Sequence, residues 1–594
     1  MKKRSLISLL AIAILLPAVT ACGLNLGTAG KSESTLSGNS ASYADSPASA
    51  ETEPVAECAE SPAIDYYTDA EYCTEAAADS YYSKNTACES YDVLCDGGYY
   101  PDPYDRPIPD ASGETYEAID ENGFKDVNRS PLSTFAADVD TASYANMRRF
   151  VNSGYGLYDF TGITLRAEEM VNYFKYDYAS PKSGERFGVD STVSDCPWNR
   201  DHKLMILGVS TKDLKENKKP DSNIVFLIDV SGSMNSENKL PLLIESMKLM
   251  TENLTGNDRV SIVTYANGTN IVLDGVTGSA GSKINKAFSR LSAGGGTNGE
   301  GGIELAYEIA QKHFIKGGNN RIILATDGDF NIGKCSGDEL EDLIGKKKET
   351  GIFLSVLGFG MGNYNDVTAE TLADSGNGNY SYIDSLAEAK KVLVDEFNST
   401  LYTVAKDTKL QVEFNPAMVS KYRLIGYENR ALQAEDFTDD TKDGGEIGAG
   451  HQVTAVYEIE LADENSGSSL KYQSNTLSDK GRAKDEWCTL SIAYKDPDKN
   501  SSEYLEFPVD AGDYTQRPSD DFILATSVAE YSMALSDSEY LADMTREEAL
   551  DQAIRNVEKM DPDDELIQEF LDLMRTVAER ESDSVRYDDT KWYE

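Results

Sequence analysis

The stretch Phe226-Leu227-Ile228-Asp229-Val230-Ser231-Gly232-Ser233-Met234 takes the chain from an unbroken apolar run into a polar turn. The run, residues 224–228, contains no polar residue, the pattern of a strand covered on both faces. Where it ends, a carboxylate and two hydroxyls alternate at Asp229, Ser231 and Ser233. Alternation at a strand end points such side chains the same way, into the crevice where open α/β sheets hold their ligands. Working outward, residues 240–254 carry Leu243, Met247, Met250 and Leu254 on one helical face. Strands are then predicted at 260–265, 321–325 and 353–357, and helices at 284–291, 303–314, 339–348 and 387–401. Strands alternating with helices predict an α/β domain built on a doubly wound, mainly parallel sheet.

Two further loops fall at the same predicted sheet edge. One is Gly294-Gly295-Gly296-Thr297-Asn298, which offers a hydroxyl; the other is Thr326-Asp327-Gly328-Asp329, which offers a carboxylate. Asp229, Ser231, Ser233, Thr297 and Asp327 thus form an all-oxygen donor set without thiol or imidazole. Such a set suits a hard cation, Mg²⁺ first, or Mn²⁺ or Ca²⁺. Two carboxylates leave the cation short of saturation, so an outside carboxylate can complete its shell. Asn298, Glu300 and Asp329 are read as outer or surface residues of these loops.

The D-x-S-x-S of Asp229, Ser231 and Ser233, with Thr297 and Asp327 on later loops, resembles the metal-ion-dependent adhesion site (MIDAS) of von Willebrand factor type A (VWA) domains, which have a Rossmann-like fold. All five positions are filled, and the resemblance covers about residues 223–401. It implies that the serines and the threonine hold the metal directly or by turns, and that the aspartates do so directly or through water. It also implies a protein partner that presents an Asp or Glu to the metal, and, from integrin-like relatives, a shift of the closing helix 387–401 on binding. More distantly, residues 128–178 and 520–540 resemble the flanks of a bacterial branch of VWA lipoproteins.

The N-terminus supplies an address. Lys2, Lys3 and Arg4 precede an apolar run, 6–16, and then Pro17 and Val19-Thr20-Ala21-Cys22, the layout of a cleavable export signal. The run is shorter than the ~20 residues a bilayer crossing needs. A cysteine at the cleavage point resembles the lipobox of bacterial lipoproteins, which implies diacylation of Cys22 and a lipid-anchored, extracytoplasmic protein of the cell envelope. Gly23 follows where Asp would favour inner-membrane retention in such lipoproteins.

The remaining chain is divided by composition. Residues 23–127 are rich in Ser, Ala, Asp, Glu and Tyr, with Lys84 and Arg106 the only basic residues between Asn39 and Asp110. They are expected to form a disordered acidic stalk. In the accessory region 128–222, residues 133–150 and 166–174 have helical spacing, and 189–193 and 204–209 alternate as strands. After the VWA domain, 223–401, comes a β-rich, sandwich-like domain, 402–594, with strands at 410–414, 453–461, 490–494 and 504–509. Its terminal helices are predicted at 522–535, 547–557 and 565–578. Strands left unpaired on both sides of the α/β domain predict that it is inserted into one sandwich built from both flanks.

Composition and missing motifs exclude several functions. A net charge of −47 argues against nucleic-acid binding, which needs basic patches to neutralise phosphates. No P-loop is present, so no nucleotide is expected. His202, His313 and His451 stand in unrelated contexts, and Ser231 occupies the place where haloacid-dehalogenase-like phosphatases need a second acid, so the chain is not read as an enzyme. Cys22 aside, seven cysteines remain, none with C-x-x-C spacing; Cys58, Cys73, Cys88 and Cys95 share one polar segment and could pair. The function expected is metal-dependent adhesion or protein–protein interaction at the cell envelope. A scaffold or assembly factor for an envelope complex is the alternative, and a metal-dependent hydrolase the third reading.

Overall fold

The computed structural model describes residues 113–590, except 117, 161, 215–218, 329–336, 463–477, 479–482, 498 and 500. Cys22 with its export signal, the stalk as far as residue 112, Cys58, Cys73, Cys88 and Cys95, and Asp329 lie outside the described residues. None of the described helices is long and apolar enough to cross a membrane.

The central sheet has six strands in the order Tyr380–Ile383, Phe353–Phe359, Asn319–Thr326, Ser222–Asp229, Arg259–Tyr265 and Thr269–Thr277. All neighbours are parallel except the last pair. Every residue of Ser222–Asp229 is buried, because helices cover both faces of the sheet. Ile224, Phe226 and Ile228 pack with Leu243, Met247 and Met250 on one side. Val225 and Leu227 pack with Ile303, Ala306 and Tyr307 on the other. The doubly wound α/β fold is therefore the observed one.

Two five-strand antiparallel paths enclose a second core that includes Phe135, Met205, Leu207, Val412, Tyr457 and Leu490. Each path takes strands from both sides of the α/β domain. His202–Thr211 pairs with Gln452–Leu461, from Ser210 opposite Gln452 to His202 opposite Glu460. Leu132–Ala136 pairs with Thr403–Phe414, from Ala136 opposite Lys409 to Leu132 opposite Glu413. The α/β domain is thus inserted into a sandwich that neither flank can complete by itself. The helices Asp520–Leu535, Arg546–Met560 and Glu565–Thr590 close the chain. Val528, Tyr531, Leu550 and Phe570 from these helices share a third core with Tyr144, Met147, Phe150 and Met170 of the first flank.

Four expectations are corrected. Residues 133–136 are strand, and the helix starts only at Ala142, because the segment is held by its ladder to Lys409–Glu413. Residues ahead of 128 pack into the fold: Val127 is buried and Lys125–Asp126 pairs with Lys421 and Tyr422. The closing helix is broken into Leu386–Lys390, a π-helical turn over Lys391–Asp395, and Phe397–Leu401. Finally, the edge strand Thr269–Thr277, the helix Asp366–Ser375 and the strand Tyr380–Ile383 were not predicted. The edge strand buries only Leu273 fully, so it carries little apolar alternation.

Candidate metal centre

The site forms where three loops leave the sheet edge. Beyond Asp229 the backbone is held on both sides: Val230 N donates to Tyr265 O at 3.0 Å and Val230 O accepts from Gly294 N at 2.8 Å. Gly232 N donates to Gly295 O at 3.0 Å, which draws the Thr297 loop against the D-x-S-x-S turn. Asp229 Oδ1 accepts the Ser231 N–H at 2.8 Å, an Asx-type turn that tightens the loop. The Ser231 and Ser233 hydroxyls stand 2.9 Å apart. Thr326 Oγ1, from the next parallel strand, reaches Asp229 Oδ2 at 3.5 Å and accepts from Gly328 N at 3.0 Å. Gly328 has φ +77°, and a side chain there would meet Asn365 N at 2.5 Å, so the turn after Asp327 needs glycine twice over.

Of the five predicted donors, Asp229, Ser231 and Asp327 are buried and Ser233 and Thr297 half-buried. Asp229, Ser231 and Ser233 are joined by hydrogen bonds. Asp327 lies close enough to Asp229 to affect its ionisation, while Thr297 follows two residues after Gly295, whose carbonyl meets the turn at Gly232 N. Burial pushes the Asp229 carboxyl up to about 6; the Ser231 N–H opposes that rise, and the Asp327 charge adds to it. Asn298 is turned to another task, capping the helix Gly299–Lys312 by accepting from Gly301 N. Glu300 lies in the first turn of that helix, where an acid complements the dipole.

Two residues of the site escaped sequence reasoning. Lys239 Nζ donates to Asp327 Oδ2 at 2.9 Å and to Asn363 Oδ1 at 2.5 Å. Asn363 Nδ2 donates to the same Asp327 oxygen at 3.2 Å. The available signal was Lys239 itself, a cation directly before the helix Leu240–Thr251, where the dipole disfavours positive charge. Asn363 lies on a fourth loop of the same sheet edge and carries no pattern of its own.

That fourth loop is strapped by the first described residues of the chain. Thr115 N donates to Tyr364 O at 2.9 Å and Asp366 N to Thr115 O at 3.1 Å. Glu114 Oε1 accepts from Gly362 N at 2.8 Å and from Arg149 Nη1 at 3.0 Å. Burial alone would push the Glu114 carboxyl up, but Arg149 outweighs it and holds the group below its usual range.

The residues fit a divalent cation. Asp229 and Asp327 are both fully buried, and among the described residues the Lys239 ammonium pairs with Asp327 and offsets the two charges in part. Uncompensated buried negative charge is costly, and a cation relieves it. The histidines are engaged elsewhere: His202 with Glu458, His313 with Asp274, and His451 with Gly448 N. Cys196 and Cys488 are buried free thiols.

Comparison with known proteins agrees with this architecture. Residues 223–396 match the von Willebrand factor type A domain, and residues 110–206 match the family described as von Willebrand factor. The chain is therefore a VWA-domain protein, and the domain stands between two matched flanks. Residues 399–579 match the C-terminal region of uncharacterized protein YfbK. Uncharacterized protein YfbK of Escherichia coli (strain K12) is 44% identical over 434 residues, which span 72% of this chain and 75% of that one. The chain belongs to the YfbK family. Uncharacterized protein sll0103 of Synechocystis sp. is 30% identical over 188 residues, 31% of this chain and 42% of that one. Among solved structures, von Willebrand factor type A from Catenulispora acidiphila aligns with a TM-score of 0.38 at 16% identity, over 65% of this chain and 89% of that one.

Proposed function

We propose that this protein is a lipid-anchored component of the cell envelope that binds a divalent cation and, through it, an acidic segment of a protein partner. The observation that carries the reading is the pair of fully buried carboxylates, Asp229 and Asp327, at the ends of neighbouring parallel strands. Asp229, Ser231, Ser233, Thr297 and Asp327 would hold the cation. When bound, it supplies a positive centre whose shell the protein leaves incomplete. The residues' own part is positional: the Asx turn at Ser231 and the backbone bonds of Val230 and Gly232 hold the oxygens before any ligand arrives. Attachment through Cys22 would place the site outside the cytoplasm.

Capture from solubilised cell envelope tests the reading. Wild-type protein in magnesium should retain a partner that chelator releases, and Asp229→Ala should retain none. A partner held equally well by Asp229→Ala in magnesium would sink the proposal. Labelling with radioactive palmitate, lost in Cys22→Ala, tests the anchor separately.

A further inference from the structure

Lys239 is buried in the site although it belongs to none of the five oxygen-donor positions. It is 4% exposed, and its ammonium bridges Asp327 and Asn363. The fold makes room for it: Gly360, at φ +88°, lies so close to the lysine stem that a side chain there would collide with it. Burying an ammonium is costly, and so is placing one at a helix N-terminus. A methionine would fill the same channel without either cost, so the charge itself is the feature to explain.

We propose that Lys239 sets the charge of the cation site so that the loaded site selects an anionic ligand over a neutral one of the same shape. The inference rests on the divalent-cation reading above. Asp229 and Asp327 with Lys239 sum to one negative charge, and a divalent cation brings the sum to one positive charge. Without Lys239 the loaded site is neutral. Because Asp229, Asp327 and Lys239 are buried, solvent and salt screen this difference poorly. A carboxylate entering the incomplete shell therefore gains a net attraction that an amide does not. The same ammonium weakens the bare cation's binding, so Lys239 exchanges metal affinity for ligand selectivity.

The test uses the full chain with Mn²⁺ as the metal and acetate and acetamide as probe ligands. Calorimetry reads Mn²⁺ binding, and water-proton relaxation reads displacement of Mn²⁺-bound water by the probe. Lys239→Met should bind Mn²⁺ at least about tenfold more tightly and, once loaded, bind acetate at least about tenfold more weakly, as expected for loss of a nearby unit charge. Lys239→Arg, which keeps the charge, should behave as wild type. Equal Mn²⁺ affinity and equal acetate affinity in wild type and Lys239→Met would overturn the role of Lys239. In the wild type alone, acetamide that displaces water as readily as acetate would overturn the selectivity, whether or not the variants fold. Failure of Mn²⁺ to bind wild type, or equal binding by Asp229→Ala, would instead overturn the cation reading itself.

Discussion

The Glu114 carboxylate accepts the Gly362 N–H at 2.8 Å, and the residue after Gly362, Asn363, donates to Asp327 at 3.2 Å. The flank that precedes the α/β domain thus reaches Asp327 of the candidate site through the loop that carries Gly362 and Asn363. Glu114 is also the carboxylate that neutralises Arg149, at 2.6 Å, with both side chains almost fully buried. Glu114→Ala leaves that guanidinium without its carboxylate and should cost about 3–5 kcal/mol, the usual penalty for breaking a buried pair. Denaturant midpoints measure the loss. If the strap also positions Asn363, Mn²⁺ affinity should change several-fold in the surviving folded fraction; unchanged affinity would show that the strap serves stability alone.

Arg148 pins the start of the closing helix. Its guanidinium contacts Asp384 at 2.6 Å, Glu388 at 2.7 Å and Glu569 at 3.1 Å, and the Tyr173 hydroxyl donates to Glu388 at 2.7 Å. A helix held in this way does not slide as one body. Any ligand-linked movement should begin at the π-helical turn Lys391–Asp395, where the helical hydrogen-bond pattern already changes. Amide exchange with and without magnesium and partner is expected to change over 391–401 and to stay constant over 386–390. Arg148→Met should remove that difference and cost about 3–5 kcal/mol, since it strands two buried carboxylates.

What could be read from the sequence was what repeats with a period or ends a strand. Ile224–Ile228 is apolar at every position because both sheet faces are covered, so the strand and its terminal Asp229 were legible together. Asp327 followed from the same logic one strand over. Asn363 and Glu114 were not legible, because each acts through one loop-to-loop hydrogen bond that leaves no periodic trace. Residues 133–136 were misread because their place in a sheet depends on Lys409–Glu413, which lies beyond the inserted domain. The helix Asp520–Leu535 was found despite burial on nearly every side, since its length alone separates it from a strand.

Glu530 gives the fold a pH dependence with a definite sign. It is fully buried in the helix Asp520–Leu535, where Gln552 donates to Oε1 at 2.8 Å. Burial pushes its carboxyl up to about 8, above the ordinary 4.5. Between those values the folded chain keeps a proton that the unfolded chain releases, so stability falls as pH rises through the interval. Glu530→Gln removes this term. It should raise stability at pH 8.5 by up to about 4 kcal/mol and by much less at pH 5.5. Urea midpoints of the two proteins at both pH values make the comparison, and a pH-independent difference would refute the assignment.

Asp229 should matter in opposite ways with and without metal. In chelator, burial first and the nearby Asp327 charge second make the Asp229 carboxylate costly to ionise, so replacing it removes that cost. Asp229→Asn keeps an oxygen to accept the Ser231 N–H, so the Asx turn survives. The variant should therefore melt at or above the wild-type temperature in chelator. In magnesium the order reverses: a ligand at one hundred times its dissociation constant stabilises the native state by about 2.7 kcal/mol, which only the intact site can gain. Melting curves of both proteins, each with magnesium and with chelator, give four midpoints. The expected pattern is a crossing, with wild type shifted upward by metal and Asp229→Asn unmoved. Parallel shifts in the two proteins would place the responsive metal elsewhere. The acidic trio Asp407, Asp443 and Glu446 is the next group to vary in that event, although Lys348 and Lys495 already pair with Asp443 and Asp407.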